Sequence, residues 1–264
     1  HPATPCLGAY EYAIETNAYA TTISNGCITA RRTAEGHECG YQYDASGRLV
    51  AFTDKDEPGN NAAYDYDPFG RRIRMQVGDS VTRMVYQGED VVAEYTDADG
   101  NGTVDKARIY WLLPEIDQRI GFVDIEGESK TFYYYLCDQV GSVLQVIRED
   151  GEVVNQYDYD AWGNLREENS YETVENRYRF HGREWDAHAG HYYWRNRIYF
   201  PEWGRFASPD MNLSLGPLAE PHGMASHVFC GNDPVNNTDP VGLAPVLTEY
   251  GYVDTYDIHH LGWG

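Results

Sequence analysis

One stretch of the chain carries oxygen-bearing side chains at the spacing that binds calcium. From Asp97 to Asp105 the sequence reads D-x-D-x-N-G-x-x-D, with acidic or amide side chains at alternate positions. Such side chains can wrap a hard cation, and a glycine inside the loop permits the sharp bend that this requires. The candidate ligands are the side chains of Asp97, Asp99, Asn101 and Asp105 and the backbone carbonyl of Thr103.

The same loop leaves two interpretations open. The complete calcium motif has an acidic residue at its last position, where this chain has Arg108, so a carboxylate from elsewhere would have to complete the coordination shell. The competing interpretation is an acidic hairpin turn that holds no metal. The pattern favours Ca²⁺ as a candidate cofactor and leaves the hairpin turn as the alternative.

The overall charge excludes some classes of partner. The 264 residues include 20 Lys and Arg against 42 Asp and Glu, which gives a formal net charge of −22 at neutral pH. Such a surface repels nucleic acid and anionic lipid, and it suits divalent cations, basic partners or plain solubility. No apolar run approaches the roughly 20 residues that a membrane helix needs. Neither nucleic acid binding nor a membrane span is therefore predicted.

Five cysteines bear on redox chemistry and metal binding. None of them forms the C-x-x-C pair that is typical of zinc ribbons and thioredoxin-like sites. Cys6, Cys27 and Cys39 lie near the start of the chain, where one disulfide could form, and the sequence leaves their pairing open. Cys137 and Cys230 lie among apolar or aromatic residues and are predicted to be small buried hydrophobic side chains.

An internal repeat predicts the elements that position these residues. An octet of the form Y-x-Y-D-x-x-G-R or -N occurs at 41–48, 64–71 and 157–164, and a weaker copy lies at 133–141. Alternating tyrosines are typical of a strand with one buried face, and an Asp followed three positions later by Gly favours a type I turn. Because one hairpin cannot bury its aromatic face alone, successive hairpins are expected to stack or curl side by side.

Composition and patterning point to the same fold class. The chain has 23 Tyr, 26 Gly and 6 Trp, which favour pleated surfaces and tight turns, and helix signals are scarce. We predict an all-β fold of antiparallel hairpins in a curved sheet or partial β-shell. Further candidate strands lie at 81–87, 90–95, 107–113, 119–125, 131–136, 142–148 and 152–159.

The octets resemble the YD repeats of the Rhs and YD-repeat family, which includes polymorphic toxin shells, the C component of Tc toxins and, more distantly, teneurins. From about residue 133 the resemblance becomes specific, because the motifs follow the order of the family's Rhs-associated core. The matching motifs are D-Q-V-G-S at 138–142, Y-R-F-H-G-R-E at 178–184, R-N-R-I-Y at 195–199, G-R-F-A-S-P-D at 204–210, G-N-D-P at 231–234 and D-P-V-G-L at 239–243.

The resemblance implies an organisation in four regions. They are an N-terminal cap or extension at 1–40, YD-repeat hairpins at 41–132, the Rhs-associated core at 133–243 and a C-terminal tail at 244–264. In the family, long strips of hairpins spiral into a hollow β-shell that holds a toxic C-terminal domain, and the core plugs one end. At roughly 23 residues per hairpin this chain is too short for a whole shell. Its last 21 residues are too few for a toxin domain.

The resemblance also implies a candidate self-cleavage site. In the family, two core aspartates act together as an aspartyl protease that cuts just after the Leu of the closing D-P-x-G-L. Two carboxylates that share one proton can activate water for attack on a peptide carbonyl. The matching residues are Asp210 and Asp239, and the implied cut lies between Leu243 and Ala244. The alternative is that both aspartates are turn residues beside Pro or Gly.

We therefore expect a structural module that is secreted or lies on the surface of a bacterial cell. It is expected to be either a piece of a larger shell or a small subunit that self-assembles into an extracellular tube or fibre. The start at His1 rather than Met and the short tail favour the second version. Two alternatives remain: an intramolecular aspartyl autoprotease, and a module that binds glycans or proteins through exposed Tyr and Trp. Catalysis other than self-cleavage is not expected.

Overall fold

The computed structural model describes residues 21–24, 26–32, 36–114, 116–210, 227–243 and 246–247. Strands and short 3-10 turns are the regular elements of these ranges, which contain no α-helix, so the all-β prediction is confirmed. None of the helical turns in the described ranges is long or apolar enough to cross a membrane. Residues 1–20 of the expected cap and all of the expected tail except Val246–Leu247 lie outside the described residues.

Fourteen strands form one antiparallel sheet, the large sheet, in which every strand pairs with its neighbours in the sequence. All seven further candidate strands are confirmed, although the last ends at Gln156. The strands are β1 (Thr21–Ser24), β2 (Cys27–Arg32), β3 (Glu38–Tyr43), β4 (Leu49–Asp54), β5 (Ala62–Tyr66), β6 (Arg72–Val77), β7 (Ser80–Gln87), β8 (Asp90–Asp97), β9 (Lys106–Leu112), β10 (Arg119–Glu126), β11 (Ser129–Cys137), β12 (Val143–Arg148), β13 (Val153–Gln156) and β14 (Tyr171–Glu172).

The large sheet runs without a break through two of the expected region boundaries. The boundary between residues 40 and 41 falls inside β3, and the boundary between 132 and 133 falls inside β11. Each of these strands is hydrogen-bonded on both sides to the adjacent strands of the chain. These two positions therefore mark no interruption of the sheet, which continues into the core motifs as far as β14.

The tyrosine octets build one local structure. In each copy the first Tyr is buried. The Asp Oδ1 accepts hydrogen bonds from the backbone N–H groups two and four residues further on. Asp138 of the weaker copy accepts the same pair of bonds. The pairing register shifts beside the turns at 44–48 and 67–71, so the octet specifies a turn with a β-bulge rather than a plain type I turn.

Two smaller sheets follow the large one. The small sheet contains β15 (Glu184–Asp186), β16 (His191–Trp194), β17 (Arg197–Phe200) and β18 (Arg205–Phe206), and a two-stranded sheet pairs β19 (Asn237–Thr238) with β20 (Val246–Leu247). The small sheet packs on the buried face of the large one. The Tyr41 ring centroid lies 5.4 Å from that of Phe52 and 5.5 Å from that of Phe200. The repeat tyrosines therefore bury their rings against the core motifs.

The cysteines in the described part of the chain are free thiols. Cys27 and Cys39 are not joined to each other, and Cys6 lies outside the described residues. Cys230 is buried, as the sequence predicts. Cys137 is only half-buried, and burial raises the pKa of its thiol to about 11. A thiol with such a pKa is almost entirely protonated at neutral pH and is therefore a weak nucleophile.

Candidate functional site

The closing D-P-V-G-L segment at 239–243 lies against the turn between β16 and β17. Four consecutive side chains of this turn donate hydrogen bonds to four consecutive backbone carbonyls of the segment. The donor and acceptor pairs are Trp194 Nε1 to Asp239, Arg195 Nη1 to Pro240, Asn196 Nδ2 to Val241 and Arg197 Nε to Gly242. We call residues 194–197 the clamp turn. These four bonds all go to the main chain of the closing segment, and Arg197 also contacts the side chain of Asp239.

Asp239 organises the last part of the closing segment. Its side chain is almost fully buried, and its Oδ1 accepts hydrogen bonds from the N–H groups of Gly242, at 2.8 Å, and Leu243, at 3.1 Å. A cut between Leu243 and Ala244 requires attack on the carbonyl carbon of Leu243. The Asp239 carboxylate therefore contacts the N–H of the residue whose carbonyl would be attacked.

The structure brings Asp210 and Asp239 to one guanidinium group. Arg197 Nη2 lies 3.6 Å from Asp210 Oδ2 and 3.4 Å from Asp239 Oδ2. Burial lowers the pKa of Arg197, and the two carboxylates oppose this effect only in part. A guanidinium between two carboxylates offsets part of their mutual repulsion and so allows both to lie at one site.

Arg197 is the functional candidate that sequence reasoning missed. The residue lies inside the R-N-R-I-Y motif at 195–199, but nothing in that motif indicates which carboxylates its side chain meets. Its partners lie far along the chain, at 210 and 239, and the fold brings them together. A buried arginine between two acidic turns is a three-dimensional signal, which spacing along one sequence does not contain.

The candidate calcium loop joins β8 to β9. Carboxylate oxygens of Asp97, Asp99 and Asp105 lie within 4.8 Å of one another, so three of the five candidate ligands converge. The oxygen of the Asn101 side chain accepts a hydrogen bond from the N–H of Thr103 at 2.7 Å.

The four candidate side chains of the loop also accept hydrogen bonds within it. Asp97 accepts the N–H of Gly102 at 2.8 Å, and Asp105 accepts that of Ala98 at 2.7 Å. Arg108, at the position where the complete motif has an acid, pairs instead with Asp124. Both the calcium site and the plain acidic turn are compatible with these bonds, because a carboxylate oxygen can accept an N–H and bind a cation at once.

Comparison with known proteins assigns the family. The model of the Teneurin YD-shell family matches residues 112–235. The tRNA nuclease WapA of Bacillus subtilis (strain 168) is 36% identical over 214 residues, a match that covers 80% of this chain and 9% of WapA. The chain belongs to the Rhs/YD-repeat family.

A further relative of this YD-repeat chain is a toxin by name, and a solved structure shares its fold. The double-stranded DNA deaminase toxin A of Burkholderia cenocepacia (strain H111) is 26% identical over 241 residues, which cover 83% of this chain and 16% of the toxin. The crystal structure of TcdB2-TccC3-TEV shares the fold, with a TM-score of 0.61 and 19% identity over 81% of this chain and 10% of that one. The YD-repeat chain thus spans between 9% and 16% of the length of these curated relatives.

Calcium binding by the YD-repeat chain stays a prediction. We expect Asp97→Asn to weaken Ca²⁺ binding on the order of tenfold or more, because it removes a charge from the buried member of the acidic group. Isothermal titration of the chain with Ca²⁺ measures this change. Asp65→Asn, which alters an acid on β5 outside the loop, is the control and should leave the affinity unchanged. If the wild-type chain shows no heat of Ca²⁺ binding, the loop is an acidic hairpin turn that holds no metal.

Proposed function

We propose that this chain is a wall segment of a larger YD-repeat shell. The observation that carries the proposal is the strand order of the large sheet, which follows the sequence from β1 to β14. A sheet of this kind can be extended by further hairpins at either edge without rearranging the strands already in it. The length of the relatives supports this, since the chain matches only a tenth of the TcdB2-TccC3-TEV chain whose fold it shares.

The proposal gives the chain a structural role in a toxin-related protein, secreted or on a bacterial surface. The names tRNA nuclease and DNA deaminase toxin describe proteins of which the chain matches 9% and 16%. A sheet with core motifs of this kind can enclose or support a toxin domain that lies elsewhere in a longer protein. Self-assembly of this chain into a tube or fibre is the competing version of the same structural role.

The wall proposal predicts association through the sheet edges. Tyr171 lies on the edge strand β14, and a lysine there places a charge where another strand would pair. We therefore expect wild-type chain to associate as its concentration rises, and Tyr171→Lys to shift it towards monomer. Size-exclusion chromatography with light scattering measures the mass of both.

Tyr134→Lys is the matched control for this experiment. Tyr134 is 47% exposed against 46% for Tyr171, but it lies on β11 in the interior of the large sheet. It should leave edge pairing unchanged. A wild-type chain that stays monomeric at all concentrations would contradict edge pairing and favour the binding-module alternative. Regular fibres in electron micrographs would favour the self-assembling version.

A second candidate function is self-cleavage after Leu243. It is favoured by the convergence of Asp210 and Asp239 on Arg197. In this reaction one carboxylate takes a proton from water as its oxygen bonds to the Leu243 carbonyl carbon. The other carboxyl group gives a proton to the Ala244 nitrogen as the peptide bond breaks. The products are a carboxylate at Leu243 and an amine at Ala244.

The intact mass of freshly expressed chain tests this second candidate. We expect wild type to yield a fragment that ends at Leu243 and Asp210→Asn to remain whole. Asn keeps the size of the side chain and loses its ability to accept or release the proton. If the wild-type chain and the Asp210→Asn variant both remain intact beyond Leu243, self-cleavage is eliminated.

A further inference from the structure

The clamp turn is anchored by an aspartate from the large sheet. Asp117, in the loop between β9 and β10, binds the Arg195 guanidinium through two parallel hydrogen bonds of 2.8 and 3.0 Å. A second carboxylate also contacts this guanidinium, since Asp90 Oδ1 lies 3.3 Å from Arg195 Nη2. A planar guanidinium held at both ends of its fork has little freedom to rotate. Arg195 also donates to the Glu89 carbonyl, so its hydrogen bond to the Pro240 carbonyl comes from a guanidinium in a fixed orientation.

A second arginine repeats this arrangement from another strand connection. Arg183 Nη2 donates to the Pro240 carbonyl at 2.6 Å and also to Asp117. Burial alone would raise the pKa of Asp117, but Arg183 and Arg195 hold it below its ordinary value. Asp117 is thus a half-buried carboxylate that holds two guanidinium groups on a single carbonyl oxygen of the closing segment.

The contact between the clamp turn and the closing segment is close throughout. Gly242 has φ of +73°, and a Cβ added to it would lie 2.4 Å from the Trp194 carbonyl oxygen. The Asn196 amide donates to the Val241 carbonyl at 2.9 Å. The carbonyls of Pro240 and Gly242, on either side of Val241, also accept hydrogen bonds from the clamp turn. The backbone that leads to Leu243 is therefore held in one conformation.

We propose that Asp117, Arg195 and Asn196 are positioning residues that hold the main chain of the closing segment in register for the cut after Leu243. The proposal rests on the self-cleavage candidate and deepens it. An attack on the Leu243 carbonyl needs that carbon held against Asp239 and Asp210, and a misplacement of about 1 Å can cost two orders of magnitude in rate. Asp117 lies outside the core motifs at 133–243, so the large sheet contributes directly to the site.

Asn196 gives the sharpest test, because its side chain is exposed and its loss costs little stability. The chain is made by cell-free synthesis, and the fraction cut is followed in time on denaturing gels. We expect Asn196→Ala to slow the cut on the order of tenfold and Asn196→Gln, which keeps an amide donor, to restore part of the rate. Asn60→Ala, which alters a half-buried asparagine in the 3-10 turn Pro58–Asn60 between β4 and β5, is the control and should cut at the wild-type rate.

Asp117→Asn tests the anchor of the clamp turn. It keeps the shape of the side chain and removes the charge that fixes both arginines, so we expect the cut to slow on the order of a hundredfold. The thermal unfolding midpoint of each variant is also measured in the Asp210→Asn background, in which the chain should remain uncut. A slow cut in a variant whose midpoint matches its parent separates positioning from unfolding. Wild-type cutting rates in Asn196→Ala and Asp117→Asn would overturn the proposal and leave self-cleavage standing.

Hydrogen exchange distinguishes failure of the proposal from failure of self-cleavage itself. If neither the wild-type chain nor Asp210→Asn is cut, the cleavage candidate fails, and with it the catalytic part of the proposal. The holding part is then decided by the amide N–H groups of Gly242 and Leu243. They should exchange faster in Asn196→Ala and Asp117→Asn than in wild type and Asn60→Ala. Equal exchange in all four would overturn the holding role as well.

Discussion

Replacing Arg72 by Met is expected to lower the free energy of unfolding by about 3–5 kcal/mol, because it leaves buried carboxylates without their partner. Arg72 begins β6, and its side chain is 1% exposed. Its Nη2 lies 2.7 Å from Glu184 Oε1, and its Nη1 lies 3.6 Å from Asp186 Oδ2. Arg177 also pairs with Glu184, so the larger loss falls on Asp186, whose side chain is fully buried.

Aromatic contacts add to the effect of losing Arg72. Its guanidinium lies 4.2 Å from the ring centroid of Tyr193 and 4.9 Å from that of Tyr64. The Tyr64 hydroxyl in turn donates to Asp186 at 2.7 Å. These contacts join the large sheet to β15 and β16, so the substitution weakens the packing of the small sheet against the large one. Cation–π contacts in a desolvated site contribute about 2 kcal/mol or more, a gain that Met cannot replace.

Arg74→Met is the matched control for Arg72→Met. Arg74 lies two residues further along β6 and pairs with Asp65 at 3.0 Å, but its side chain is 29% exposed and that of Asp65 is 61% exposed. Surface ion pairs of this kind contribute about 1 kcal/mol or less. Urea denaturation followed by circular dichroism measures both variants. Similar midpoints for the two would show that the buried ion pairs do not hold the sheets together.

A second variant tests the electrostatic cause. Adding Asp186→Asn to Arg72→Met removes the buried carboxylate that lost its arginine partner, so part of the stability should return. The same Asp186→Asn in the wild-type background should instead be destabilising, because it removes an anion that pairs with Arg72. An additive result for the two substitutions would mean that the groups do not interact.

The features that sequence predicted well are local ones. The octets were readable because each hairpin turn is fixed by hydrogen bonds within about five residues, as where Asp44 accepts the N–H of Arg48. Alternating tyrosines gave the strands, since the buried face of a strand repeats every second residue. The order of strands followed from hairpins pairing with the next hairpin along the chain.

The features that sequence could not predict depend on distant pairs. Nothing in the spacing of Arg72 and Asp186 indicates that these residues meet between two sheets. The same holds for Arg197, which receives its partners from two separate turns. The resemblance supplied Asp210 and Asp239 as a pair, but not the guanidinium between them. Each of these contacts depends on how the small sheet lies on the large one, which a repeat pattern does not specify.

Replacing Gly163 by Ala should cost about 2–5 kcal/mol, well above the cost of the equivalent change at Gly47. The two glycines hold the same octet position, with φ of +89° and +76°. An alanine at either position costs about 1–2 kcal/mol because its Cβ disfavours a left-handed backbone. A Cβ on Gly47 would meet nothing within 4 Å, whereas one on Gly163 would lie 2.5 Å from Phe180 Cδ1.

The extra cost at Gly163 arises from the core motifs that cover this copy of the repeat. Phe180 is buried in a cluster with Trp194 and Phe229, so its ring cannot move aside freely, and overpacking of that kind costs about 1–3 kcal/mol. Chemical denaturation of Gly47→Ala and Gly163→Ala measures the difference. Adding Phe180→Leu should narrow the gap between them, because the smaller side chain relieves the contact with the new Cβ. Equal losses of unfolding free energy at the two glycines would mean that the aromatic cluster rearranges to accept the new Cβ. The core motifs would then cover this hairpin without restricting the conformation of its turn.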